Sequence, residues 1–191
     1  MNLPNKLTIS RIALTFIFMF FLFCSGVYAK SLALATFMLA SFTDYYDGYL
    51  ARKTGQITNL GKILDPIADK VLTLAAFLVF VELGLIEAWM VVIIIMREFF
   101  VTGVRLVAVG KGIVLAAEQG GKHKTVFQIV AIFLILVFIV IKEAAAGIWT
   151  PGFELWFRRV IFYVMLVVVT LTLTSAISFI NKNNRVFLDE K

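Results

Sequence analysis

The chain has 191 residues, is 61% hydrophobic, and carries a net charge of +6 with a mean hydropathy of +0.97. That apolar share exceeds the roughly 45–50% of soluble domains, which excludes an ordinary soluble fold and leaves one membrane domain over residues 1–191 as the simplest organisation. The lone Cys24 excludes an internal disulfide, and the basic residues flank apolar runs, which points to lipid headgroups and topology and not to nucleic acid.

In chain order, Met1–Arg11 mixes Asn5, Lys6, Thr8 and Arg11 with apolar residues and reads as an interfacial segment lying on the membrane. Six apolar runs follow, each near the roughly 20 residues that cross a bilayer. They are Ala13–Ala29, Ser31–Ala51, Lys62–Leu83, Glu87–Val109, Thr125–Ile141 and Phe157–Ile180. The first is about as long as a full span and has no convincing small-residue cleavage site after it, so a retained helix is expected and not a signal peptide. Breaks are marked by Gly55 after Arg52-Lys53-Thr54, by Leu83-Gly84-Leu85, and by Ala146-Gly147 through Pro151-Gly152. The predicted fold class is all-α: a polytopic membrane protein of six transmembrane helices plus the N-terminal interfacial segment. Phe16, Phe18, Phe20, Phe21 and Phe23 read as a lipid-facing stripe.

Basic residues set the expected orientation. With the N-terminus inside, thirteen of the eighteen Lys and Arg fall on the cytosolic side. Lys30, Lys142, Arg158 and Arg159 fall outside, and Arg97 lies within a span. Both termini are then cytosolic, and Tyr28, Trp89, Trp149 and Trp156 sit near the outer ends, where interfacial aromatics belong.

One stretch carries chemistry. Asp44, Asp47, Gly48, Ala51, Arg52, Gly61, Asp65 and Asp69 follow the spacing D-x2-D-G-x2-A-R-x8-G-x3-D-x3-D. Asp44 and Asp47 are three apart, and Gly61, Asp65 and Asp69 are four apart, so each set forms a stripe on a helix. Ionised carboxylates are costly in low dielectric unless paired or metal-bound. Two facing stripes make an oxygen-rich site suited to Mg²⁺ or Mn²⁺. The alternative is a set of structural pairs with Arg52, Lys62 or Lys70. At about 1.5 Å per residue, Asp44 lies roughly 20 Å in from Ser31 and about 10 Å below the cytosolic face of a ~30 Å core. Water-soluble and lipid substrates both reach that depth.

The stretch resembles the signature of the CDP-alcohol phosphotransferases, and all of its positions match. The resemblance implies a membrane enzyme that moves a substituted phosphate from a CDP-linked donor to an alcohol and releases CMP. It implies that Asp44, Asp47 and Asp65 hold two divalent ions, Mg²⁺ or Mn²⁺, and that Asp69 is the general base and also a ligand. CDP-diacylglycerol would be met by Asp44, Arg52, Asn5, Thr8 and Thr58, with Gly48, Ala51 and Gly61 leaving room for the nucleotide. The opening Asn2–Thr8, Arg97–Arg105 and Gly121–Thr125 resemble the branch whose acceptor is sn-glycerol 3-phosphate. A phosphorylated acceptor needs cations, and Arg105, Lys122 and Lys124 are the candidates; for each the alternative is a headgroup anchor. Arg97 with Glu98 beside it reads as a buried structural pair, and His123 as a solvated loop residue. The resemblance further implies a homodimer among membrane lipids in the cytoplasmic membrane of a bacterium, with the site cytosolic. The rival readings are the same chemistry on another acceptor (phosphatidylglycerol, inositol phosphate or serine) and, from a different class, a small cation transporter. A transporter has no need of Gly48, Ala51 and Arg52 in fixed register.

Overall fold

The computed structural model describes the backbone over residues 3–54, 59–110 and 119–183, and side chains over 9–43, 70–108 and 124–183. Among these residues the chain is all-helical: α1 (Leu3–Phe23), α2 (Val27–Thr54), α3 (Asn59–Glu82), α4 (Ala88–Gly110), α5 (Gln119–Ala144) and α6 (Pro151–Lys182). α1 packs on α2 and α3, α5 on α6 and α2, and α4 on α6. Phe18, Phe37, Phe77, Phe80, Ile132, Ile135, Phe138 and Met165 fill the shared core.

The exterior is as apolar as the core. Phe16, Phe20, Met96 and Leu106 are each about two-thirds exposed (65–68%), a surface that water would not tolerate over such an extent. Lys124–Ala144 and Pro151–Lys182 are long and apolar enough to cross a membrane, and Ile9–Phe23 and Val27–Thr43 are shorter apolar stretches. Several threonine hydroxyls donate back to carbonyls of their own helices, which satisfies them in apolar surroundings. Thr15 Oγ1 donates to the Arg11 carbonyl (2.9 Å), and Thr172 Oγ1 donates to the Val168 carbonyl (2.7 Å).

α1 runs unbroken from Leu3 to Phe23, so the N-terminal segment continues into the first apolar run as one helix. No glycine interrupts it, and its one proline, Pro4, sits in the first turn, where a missing N–H costs nothing. The break after the first span falls at residues 24–26, earlier than the expected end at Ala29. Gly26 adopts φ +99° there, a conformation open to glycine, and its carbonyl accepts from Lys30 N–H (3.1 Å) as α2 begins. The aromatic stripe is also corrected. Phe16, Phe20 and Phe23 are exposed as expected, but Phe18 is fully buried, its ring 5.7 Å from that of Phe37.

The far end of the bundle, opposite the aspartates, is tightly tied. Gly84 (φ +63°) closes α3 in a Schellman arrangement: Leu85 N–H donates to the Phe80 carbonyl and Gly84 N–H to the Val81 carbonyl (both 2.9 Å). Thr150 caps α6 by accepting from Phe153 N–H (3.4 Å), with Pro151 in its first turn. Gly26 N–H donates to Glu143 Oε1 (2.7 Å), and Arg158 Nη1 donates to the Gly84 carbonyl (2.6 Å). Turns between consecutive helices are thereby tied to other helices.

Candidate active site

Asp44, Asp47, Gly48, Ala51 and Arg52 lie in the C-terminal half of α2, and Gly61, Asp65 and Asp69 in the first turns of α3. These helices are consecutive, with only residues 55–58 between them, so both halves of the pattern arrive at one end of the bundle. The glycines fall inside helices without ending them. Thr58 lies outside the described residues. So do the side chains of 44–69, of Asn5 and Thr8 on α1, and of Lys122 on α5. Among the described residues no group of three or more His, Cys, Asp or Glu could hold a metal ion.

Just beyond Asp69 the side chains are described, and they form a polar chain through the bundle. Lys70 Nζ donates to Thr102 Oγ1, tying α3 to α4. Thr102 donates in turn to the Glu98 carbonyl (2.8 Å). The Glu98 carboxylate pairs with Lys124 of α5 and lies 3.6 Å from Arg97 Nη1. Arg97 Nη2 donates to Ser175 Oγ of α6 (2.8 Å). The side chains of Lys124, Arg97 and Glu98 are 3%, 8% and 14% exposed. Four helices thus meet through a buried ionic cluster next to the aspartate end. Desolvation makes such a cluster costly unless every member is matched.

The sequence reading of Arg97 and Glu98 as a buried pair holds. The acceptor candidates fall in different environments: Arg105 is exposed on α4, whereas Lys124 is buried against Glu98. The role of Glu98 as partner to Lys124, and those of Thr102 and Ser175, were missed. A signal was present, since Glu98 and Thr102 stand four apart on α4, as do Lys124 and Gln128 on α5.

Beside this end lies an apolar groove of about 450 Å³ between α2 and α5. It is lined by Phe37, Met38, Ser41 and Phe42 from α2 and by Ile129, Val130 and Phe133 from α5. Ser41 precedes Asp44 by about one turn, so the groove runs up to the signature.

A family model described as CDP-alcohol phosphatidyltransferase matches residues 1–180. The chain belongs to the CDP-alcohol phosphatidyltransferase family. Its curated relatives include the CDP-diacylglycerol–glycerol-3-phosphate 3-phosphatidyltransferase of Bacillus subtilis (strain 168), 47% identical over 71% of this chain and 77% of the relative. A probable phosphatidylglycerophosphate synthase of Mycobacterium tuberculosis (strain H37Rv) is 41% identical over 71% of this chain and 66% of its own. A CDP-diacylglycerol–glycerol-3-phosphate 3-phosphatidyltransferase of Rickettsia bellii is 35% identical over 71% and 75%. As a CDP-alcohol phosphatidyltransferase, the chain is a transferase, and α2 and α3 bring together the parts of its signature.

Proposed function

We propose that the chain transfers the phosphatidyl group of CDP-diacylglycerol to sn-glycerol 3-phosphate, giving phosphatidylglycerophosphate and CMP. The observation that carries this reading is the complete signature, with its four aspartates, on two consecutive helices. The names of the relatives favour this acceptor over the other alcohols.

Asp44, Asp47, Asp65 and Asp69 are an all-oxygen donor set whose chemistry fits two Mg²⁺ or Mn²⁺ ions, and these residues would hold them. When bound, such ions neutralise charge on the diphosphate and on the departing CMP. Asp69 takes the proton of the attacking hydroxyl. The acceptor oxygen bonds to the phosphorus that bears diacylglycerol. The bond from that phosphorus to the oxygen bridging it to the cytidylate breaks, and the electron pair leaves with CMP. Gly48, Ala51 and Gly61 leave space for the nucleotide, and Arg52, Asn5, Thr8 and Thr58 contact it. Arg105, Lys122 and Lys124 gather the acceptor phosphate, with Glu98 positioning Lys124. The groove between α2 and α5 offers an acyl chain an apolar path that ends one turn from Asp44. The same reading includes six spans, a bacterial cytoplasmic membrane, a cytosolic site and a homodimer.

The test is product analysis. Purified protein with CDP-diacylglycerol and labelled glycerol 3-phosphate is expected to give labelled phosphatidylglycerophosphate and equimolar CMP. Serine, inositol phosphate and phosphatidylglycerol are offered in parallel. A faster reaction with any of them would reassign the acceptor.

A further inference from the structure

At the far end a cavity of about 390 Å³ lies between the α3–α4 turn, the first turn of α4 and the N-terminal half of α6. Its volume falls in the roughly 300–1,000 Å³ range of small-molecule clefts. Ile86, Met90 and Met165 are its buried wall, and Leu155, Phe162 and Tyr163 are exposed along its open side.

Two ionised groups of opposite sign line this cavity, Glu87 from the turn and Arg159 from α6. Neither pairs with any described residue, and they do not pair with each other. Arg158, also in the lining, is committed elsewhere: its Nε meets Glu154 (2.7 Å) and its Nη1 meets the Gly84 carbonyl. Both are exposed at the cavity's rim, so it offers one unmatched cation and one unmatched anion above an apolar wall. Trp89 and Trp156 stand at the same end of their helices, and such aromatics mark the headgroup level of a membrane. An anionic ligand would satisfy Arg159 and be repelled by Glu87. A cationic ligand would do the reverse. A headgroup carrying both charges matches both.

We propose that this cavity binds a zwitterionic phospholipid with a primary ammonium headgroup, its phosphate on Arg159 and its ammonium on Glu87. Tyr163, one helical turn beyond Arg159, adds a hydroxyl to the phosphate side. Leu155 and Phe162 lie where the glycerol and upper acyl chain leave for the bilayer. The lipid bridges the α3–α4 turn to α6, as Arg158 already does. The site lies about 20 Å along α3 from Asp69, and it does not depend on the reaction assigned to the aspartates.

Native mass spectrometry of the full chain tests this. The protein is released from micelles holding equal amounts of phosphatidylethanolamine, phosphatidylglycerol and phosphatidylcholine with identical acyl chains. Phosphatidylethanolamine is expected to be retained preferentially, because only its ammonium donates hydrogen bonds to a carboxylate. Arg159→Gln should cut that retention at least about tenfold, as loss of a charged hydrogen bond implies. Glu87→Gln should remove the preference over phosphatidylglycerol. Both groups lack described partners, so the unfolding midpoint of each variant in lipid-free detergent should match the parent. Equal retention of the three lipids, or a preference that survives both substitutions, would overturn the proposal. So would stabilisation by soluble phosphoethanolamine equal to that by the lipid, which would assign the site to a free solute. A change in oligomeric mass on Arg159→Gln, with lipid retention unchanged, would assign it to a second copy of the chain.

Discussion

At the far end of the bundle, polar groups mostly satisfy one another. Glu154 accepts from Lys142 (3.0 Å), from the Trp149 indole (2.9 Å) and from Arg158 (2.7 Å), and Lys30 Nζ reaches the Leu22 carbonyl (2.6 Å). At the other end, four carboxylates stand within 26 residues on two helices, spaced in register with small residues. Like charges on successive turns repel, and under the proposed function cations from outside the chain offset them. One end closes turns, and its loss should register as stability. The other presents unlike chemistry to a ligand, and its loss should register as turnover. The ionic cluster of Glu98, Lys124 and Arg97 lies between the two kinds, and variants there sharpen the contrast.

The largest effect is expected at the aspartates. Asp44→Asn, Asp47→Asn and Asp65→Asn should each abolish measurable product, with insertion and the unfolding midpoint retained. Asp69→Asn should lower kcat by on the order of 10²–10⁴, the usual contribution of a general base, with little change in KM for CDP-diacylglycerol. Steady-state kinetics on all four separates the roles. An Asp69→Asn enzyme with parental kcat and weakened donor binding would make that residue a ligand only.

Next in size is Glu98. Glu98→Ala removes the buried carboxylate that pairs with Lys124 and should cost about 3–5 kcal/mol, read by thermal or denaturant unfolding. The double variant Glu98→Leu, Lys124→Met replaces the ion pair with apolar contacts and should recover most of that loss. If Lys124 also meets the acceptor phosphate, the recovered protein will still show a KM for glycerol 3-phosphate raised at least about tenfold. Full recovery of both stability and KM would make the cluster purely structural.

Smaller effects belong to the far end. Arg158→Ala removes the tie from α6 to the α3–α4 turn and should cost about 1–3 kcal/mol, with kcat unchanged. Gly84→Ala introduces a side chain at φ +63°. Its Cβ would meet nothing within 4 Å, so the cost is conformational alone, about 1–2 kcal/mol. A large drop in kcat from either substitution would show that the two ends are not separable in the way described.

What was legible in the sequence follows the same division. The signature is a spacing, and spacing survives into the fold because α2 and α3 are consecutive helices joined by a short link. Six apolar runs gave six helices, since each contains enough residues to satisfy its own backbone. Helix ends were less legible. Gly26 turns the chain between α1 and α2 with a positive φ, whereas Lys30, at the expected boundary, lies inside α2 and donates to the Leu22 carbonyl of α1. Phe18 could not be distinguished from Phe16 and Phe20 by composition, because a membrane protein is apolar on both faces and periodicity loses its contrast. The partner of Lys124 was hidden for another reason: Glu98 is on a different helix, and the pair exists only once α4 and α5 are packed together.

Under the proposed function the four aspartates act through divalent ions to join CDP-diacylglycerol to glycerol 3-phosphate. The most direct measurement uses chelator-stripped protein, both substrates, and mass spectrometry of the lipid product as Mg²⁺ or Mn²⁺ is titrated back. No phosphatidylglycerophosphate is expected in excess chelator, full recovery on metal addition to the parent protein, and none at the same metal concentrations for Asp65→Asn. Product formed in excess chelator, or an Asp65→Asn enzyme restored to parental rate by the same metal, would contradict it.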